Sequence, residues 1–219
     1  MIKRVIIGSG PTVEPIDPVR YISNRSSGKT GYYLAEEAAR RDIGEIIFVS
    51  GPSRYIPAGV TVVNVETALE MQRTILDYYD GADVAIMAAA VSDYRVAQYQ
   101  PQKIKKGEDR LVLELERNPD ILLGLGKSKK ESQVLVGYAA ETDDIFSNGR
   151  IKFERKNLDL LVLNEISSAN PAFDVEENQV HFLTHEGYRN IPKMKKQDLS
   201  ALIWDEIFAI IKARKDRPV

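Results

Sequence analysis

Six apolar runs of strand length recur along the chain, separated by stretches of helical period, and this alternation constrains the fold more than any other feature. The runs are Arg4–Ile7, Glu45–Ser50, Val60–Val65, Asp83–Ala88, Val134–Tyr138 and Asp159–Leu163. Several are continuous Val, Ile, Leu and Ala, the composition a strand needs when helices cover both faces of a parallel sheet. Between them, Gly31–Arg41 gathers Leu34, Ala35, Ala38 and Ala39 on one helical face. Ala68–Tyr79, with Thr67 as N-cap, turns Leu69, Ile75, Leu76 and Tyr79 inward. Asn118 and Pro119 read as the cap and first position of another helix. A last helix, Asp198–Arg214, aligns Leu199, Leu202, Ile203, Ile207, Ile210 and Ile211. The pattern predicts an α/β fold: a doubly wound, mostly parallel, Rossmann-like sheet. Leu111–Glu116 alternates strictly, and with Gln179–Leu183 it predicts a small antiparallel ribbon and an antiparallel edge. No repeat or Pro/Gly-rich linker divides the chain, so residues 1–219 are expected to form one domain.

The rhythm breaks twice. Gly8 to Gly28 and Val91 to Gly107 are far longer than the roughly 2–6 residues usual for a strand-to-helix connection. Both follow the C-terminal ends of expected parallel strands, where open α/β sheets bind ligands. Composition limits what those ligands are. Thirty Lys and Arg against 32 Asp and Glu leave a formal charge of −2, so any anion site must be built locally. Neither nucleic acid nor a membrane is an expected partner. Cysteine is absent, which removes disulfide and thiolate chemistry and fits a reducing compartment. The first strand begins too close to Met1 for a signal peptide, and no apolar run approaches the roughly 20 residues of a membrane span. A cytoplasmic location is expected.

Within the first long segment, Gly8-Ser9-Gly10 hints at a dinucleotide turn, but Pro11 intervenes and the third glycine is out of place. Asn24-Arg25-Ser26-Ser27-Gly28-Lys29-Thr30-Gly31 leads straight into a helix, and its small residues let backbone N–H groups approach an anion at the helix's positive end. Ser27 and Gly28 are candidates for substrate contact on that ground; the alternative is a plain helix start with Ser27 as N-cap. The segment is not a P-loop, because Ser23 stands where its first glycine would be. The second segment carries Asp93 and then Lys103-Ile104-Lys105-Lys106, following the small residues Ala88-Ala89-Ala90. Lys152 and Lys156 lie four apart, on one helical face, either flanking a polyanion or forming a solvated face balanced by Glu154. His181 and His185 are too far apart on a strand (about 13 Å) to share a metal. No metal ligand is assigned, and no Ser-His-Asp set suggests itself. The available tools suit positioning and charge stabilisation on phosphates.

Taken in order, these segments resemble the phosphopantothenate–cysteine ligase family, over nearly the whole chain. The resemblance rests first on Glu14-Pro15-Ile16-Asp17-Pro18-Val19-Arg20-Tyr21-Ile22-Ser23-Asn24-Arg25-Ser26-Ser27-Gly28-Lys29. It continues through Ala88 to Arg95, Lys103 to Lys106, Asn118-Pro119-Asp120-Ile121, Val136 to Thr142, Lys152 to Asn164, and Phe173-Asp174 with Asn178-Gln179-Val180. The resemblance implies a Mg²⁺-dependent reaction in two halves. The carboxylate of 4′-phosphopantothenate attacks the α-phosphate of CTP to give an acyl-cytidylate and pyrophosphate, and the amine of L-cysteine then displaces CMP.

By position, the resemblance implies that Asn24 binds the phosphopantothenoyl part and that Arg20 serves the cysteine-dependent step. Met87, Ala88 and Ala89 would lie against the nucleotide, Asp93 near its sugar or base, and Lys103 would reach the triphosphate from a mobile flap. Asn118, Pro119, Asp120 and Ile121 would add backbone contacts, Tyr138 would pack on the base, and Lys152 and Lys156 would hold phosphates. Family members often have Phe at the Tyr138 position, and their opening turn is usually Thr-x-Gly-Gly-Thr where this chain has Gly8-Ser9-Gly10-Pro11-Thr12. The stand-alone form is the expectation, with no flavin and no decarboxylase activity, and so is a homodimer with a flap reaching between subunits. ATP in place of CTP stays open. Two other readings remain: an NAD(P)-dependent oxidoreductase on the same sheet, and a non-catalytic nucleotide-binding protein. The oxidoreductase needs an acidic residue at the end of the second strand, where Ser50-Gly51 sits.

Overall fold

The apolar runs assemble into one eight-stranded sheet in the computed structural model, which describes residues 2–105, 107, 110–141, 143–165 and 175–216. The elements begin with β1 (Arg4–Ser9), β2 (Val13–Pro15), β3 (Tyr21–Ser23), α1 (Lys29–Arg40), β4 (Glu45–Ser50), β5 (Thr61–Asn64), α2 (Ala68–Tyr79) and β6 (Val84–Met87). They continue with β7 (Tyr94–Val96), β8 (Leu115–Arg117), α3 (Ile121–Ser128), β9 (Val134–Glu141), α4 (Ile145–Arg155), β10 (Leu160–Glu165), β11 (Glu177–Thr184), β12 (Gly187–Lys195) and α5 (Lys196–Lys215). The sheet order is β12-β11-β10-β9-β6-β1-β4-β5. Strands from β10 to β5 pair in parallel, while β11 and β12 are antiparallel additions. Connectivity reverses between β1 and β6, and such a switch point leaves a crevice at the strands' C-terminal ends.

Side-chain alternation explains the continuous apolar runs. Val5 and Ile7 of β1 face a layer made by Leu34, Ala35 and Ala38 of α1 with Leu199, Ile203, Trp204 and Ile207 of α5. Ile6 faces the opposite layer, with Met71 and Ile75 of α2, Leu125 of α3 and Phe153 of α4. Each fully buried Val, Leu, Ile, Met or Phe among them contributes about 1.5–3 kcal/mol. The indole N–H of Trp204 donates to the Leu34 carbonyl (2.9 Å), locking α5 to α1. Among the described residues no helix is long and apolar enough to cross a membrane.

Several local expectations need correction. Helix α1 is capped at Gly28, one residue beyond Ser27. The helix expected from Asn118-Pro119 starts only at Ile121, and Asp120 is its cap, accepting from the Leu123 amide (3.0 Å). Proline disfavours a helical conformation in the residue before it, and Asn118 instead ties down the loop ahead of it. On α2, the buried stripe is Ala68, Met71, Ile75 and Tyr79, while Leu69 and Leu76 are each 46% exposed, rotated off the packed face. The antiparallel ribbon is real but shorter and later than Leu111–Glu116, pairing Tyr94–Val96 with Leu115–Arg117. Gln179–Leu183 lies within β11, which is not the edge; β12 is. Of β12's residues only Ile191 is buried, so its pattern carries no strand signal. A register shift between Asn178 and Val180 marks a bulge in β12, where Pro192 and Lys193 face the single residue Gln179, a position where an edge strand tolerates proline. Thr142, Lys106, Phe173 and Asp174 of the family-like segments lie outside the described residues.

Candidate active site

Beyond β1 and β6 the two long segments zip together and form the floor of the crevice. The Ala88 amide donates to the Gly8 carbonyl (2.9 Å), the Ala90 amide to Gly10 (2.9 Å) and the Thr12 amide to Ala90 (3.3 Å). The Asn24 side-chain amide donates to the carbonyls of Ala90 (3.2 Å) and Val91 (3.1 Å), which pins the first segment onto the second. Asn118 does the same from the other side, donating to Ser92 (2.9 Å) and accepting from Arg95 (3.0 Å).

A cavity of about 430 Å³ stands on this floor, and Asn24, Ala88, Ala89, Asp93, Tyr138, Lys152 and Lys156 line it. A lobe of about 240 Å³ shares Ala89, Asp93, Tyr138 and Lys156 and adds Met87, Asn118, Pro119, Asp120 and Ile121. Residues from five separated stretches of chain thus converge on one space. Tyr138 places its ring in the wall, with its hydroxyl buried and without a hydrogen-bond partner; burial pushes that hydroxyl's pKa up, so it stays protonated.

Lys152 and Lys156 each already hold a carboxylate. Lys152 pairs with Glu141 at the end of β9, and Lys156 with Asp120 (2.9 Å). Glu154, the balancing residue considered from sequence, is not the partner. Burial would raise the Asp120 pKa, but the Lys156 ammonium and the Leu123 amide outweigh it and hold the carboxyl below its ordinary value. Asp120 is therefore ionised at neutral pH.

Ser27 and Gly28 are not among the residues that line the cavity or its lobe. Gly28 takes a left-handed φ of 81°, and a Cβ there would meet the Ser53 hydroxyl at 2.7 Å. Gly31 is just as constrained, since a Cβ would meet the Ser9 hydroxyl at 2.2 Å. These glycines let α1 begin hard against the end of β1. No side chain closes the cap at Gly28, and only Ser26 (3.4 Å) and Ser27 (3.5 Å) stand near the first amides. Such a helix start is open to an anion.

Arg20 and Lys103 stand apart from this cavity but close to each other. Buried Asp17 accepts from the Val19 and Arg20 amides (2.9 Å each), from the Arg20 guanidinium and from the Ile104 amide (3.1 Å). Arg20 in turn donates to the Ile104 carbonyl (2.9 Å). The flap that carries exposed Lys103 is thereby stapled to the loop that carries Arg20. Thr30, Asn164, Asn178 and Lys196 also line the cavity; the first three lie in segments quoted from the sequence without a role assigned to them, and Lys196 lies in none. Asn164 was within reach, as it sits at the C-terminal end of a parallel strand. Lys196 was not, because it enters only through the packing of α5.

Comparison with known proteins fits this geometry. Residues 1–211 match the family described as the DNA/pantothenate metabolism flavoprotein C-terminal domain. The chain belongs to that family. Among relatives of this C-terminal domain, the coenzyme A biosynthesis bifunctional protein CoaBC of Bacillus subtilis is 42% identical over 98% of this chain and 53% of its own. The chain thus spans about half the length of the curated relatives it matches. A crystal structure of the C-terminal domain of a CoaBC protein superposes with a TM-score of 0.82 at 36% identity, covering 96% of each chain. A Cab2 variant in complex with phosphopantothenate-cysteine has the same fold, with a TM-score of 0.76 at 19% identity over 96% of this chain and 87% of its own.

Proposed function

We propose that the whole chain acts as one cytoplasmic phosphopantothenate–cysteine ligase domain, using CTP and Mg²⁺. The observation that carries this reading is the convergence of Asn24, the Ala88–Ala89 backbone, Asp93, Tyr138, Lys152 and Lys156 on one cavity at the switch point. The relatives named for coenzyme A biosynthesis support it, as does the ligand of the Cab2 complex. In the first half-reaction a carboxylate oxygen of 4′-phosphopantothenate bonds to the α-phosphorus of CTP, and pyrophosphate leaves with the electrons of the broken P–O bond. Asn24 holds the acid and the acyl-nucleotide. Its amide hydrogens are engaged by Ala90 and Val91, so it meets the ligand with its side-chain oxygen. Lys152 and Lys156 turn from Glu141 and Asp120 to the phosphates, Tyr138 packs on the base, and Ser27 and Gly28 present the amides of α1. Such a reaction needs orientation and charge neutralisation rather than an enzyme nucleophile.

Among the described residues no group of three or more His, Cys, Asp or Glu could cage a metal. Asp93 on the cavity wall suits an Mg²⁺ that arrives on the triphosphate, since that ion usually takes only one or two protein carboxylates. The ion would neutralise charge on the phosphoryl oxygens. Arg20 and Lys103 serve the cavity of a second copy. Support comes from an apolar surface around the stapled loops, where Val112 is 88% exposed and Tyr21 61%, with Val19, Tyr99 and Leu111 also exposed. Patches of this kind mark interfaces. For an oxidoreductase, the end of β4 offers Ser50 in place of the acidic residue that would bind a ribose.

Pyrophosphate release, assayed with each of the four nucleoside triphosphates, tests the proposal. Release is expected with CTP and 4′-phosphopantothenate and without cysteine. Release that needs cysteine, or none with any nucleotide, sinks it.

A further inference from the structure

Lys152 and Lys156 leave carboxylates behind when they turn to the phosphates, and the two they leave are not alike. Asp120, left by Lys156, still accepts from the Leu123 amide (3.0 Å) as the cap of α3 and still has Arg155 at 3.7 Å. It remains a held anion. Glu141, left by Lys152, keeps no side-chain partner among the described residues, since Lys152 is both its ion pair and its hydrogen-bond donor. The Glu141 side chain is only 13% exposed. Strand β9 brings it to the site: Tyr138, Ala139 and Ala140, the three residues before it, line the cavity, as does Lys152 itself. At that end of β9, α4 sets Lys152 against the carboxylate and β10 sets Glu165 beside it in register. Removing one member of a largely buried ion pair leaves the other charge uncompensated, and a proton taken from a ligand relieves it.

We propose that Glu141 is the general base of the amine-transfer half-reaction, uncovered only when the nucleotide has drawn Lys152 away. The proposal rests on the ligase reading. In the empty site Lys152 neutralises the carboxylate and keeps it idle. The nucleotide retains one phosphate through both halves of the reaction, and while Lys152 holds it Glu141 stays open. Cysteine reacts as the neutral amine, having given one proton to solvent. Its nitrogen attacks the acyl carbonyl carbon of the mixed anhydride, and a C–N bond forms. The bond from that carbon to the bridging oxygen breaks, and the nucleoside monophosphate leaves with the electron pair. Glu141 takes the proton that the nitrogen sheds as the amide forms. Once the monophosphate has gone, the returning Lys152 ammonium favours the ionised carboxylate, so the proton passes to solvent and the pair is restored.

Rapid-quench single turnovers, which read the release of pyrophosphate and of the nucleoside monophosphate separately, test it. Glu141→Gln keeps the shape and removes the base. It should slow monophosphate release about 10²–10⁴-fold more than pyrophosphate release, the usual contribution of general-base catalysis. Glu141→Asp, which retains a carboxylate, should recover part of that loss. Glu141→Ala gives a second reading of the same ratio should the amide variant fail to fold. A ratio of the two rates equal to that of the wild type overturns the base, whether neither step slows or both slow together; the second result would mark a residue that only positions Lys152. A wild-type chain that never releases pyrophosphate overturns the ligase reading first and the base with it.

Discussion

Asp17 is the residue on which most of the unusual geometry turns. It is buried, yet it is surrounded by donors: two amides of its own loop, the Arg20 guanidinium and the Ile104 amide. The guanidinium, followed by the amides, holds its carboxyl well below the ordinary value of 3.8 despite burial. The sign of the linkage follows. A depressed folded pKa adds stability that is fully present above the unfolded value and is lost as pH falls through the folded one. Urea denaturation across pH should therefore find Asp17→Asn less stable than wild type at neutral pH, with the gap closing below about pH 4. A gap that stays constant with pH would mean that Asp17 acts by shape and not by charge.

At the scale of elements, local chemistry was legible wherever a short rule decides the outcome. Thr67 caps α2 as expected, and the structure adds the reciprocal half: Glu70 accepts from the Thr67 amide (3.2 Å) while the Thr67 hydroxyl accepts from Glu70 (3.2 Å). Thr67→Ala should cost about 1 kcal/mol, within roughly 0.5–2, read as a lower urea midpoint with unchanged slope. Where tertiary packing decides, the sequence was mute. Apolar spacing alone could not tell whether α2 buries Leu76 or Met71, and the sheet beneath chose Met71. Trp204 lies outside the stripe expected for α5 but becomes its centre because α1 offers a carbonyl to its indole. The cavity followed the same division. Residues in loops at the ends of parallel strands announced themselves, whereas Lys196 enters the lining from the start of α5, which no local pattern marks.

For the whole molecule, Arg20 and Lys103 lie off the cavity while Asn24 lies in it, so a site completed across a dimer makes a definite prediction. Arg20→Ala and Asn24→Ala should each be inactive alone. Mixed and allowed to exchange subunits, they should recover about a quarter of wild-type activity, since half the dimers are mixed and each then has one intact site. No recovery despite demonstrated exchange would place every catalytic group within a single chain. The pairing of Lys152 with Glu141 and of Lys156 with Asp120 has its own consequence in a crowded cell. Stray inorganic phosphate would have to unseat a resident carboxylate for one new contact, with little net attraction to draw it in. Under the ligase reading, a triphosphate long enough to reach both lysines would displace both carboxylates together, so the pocket would screen its visitors by valence before shape is ever consulted.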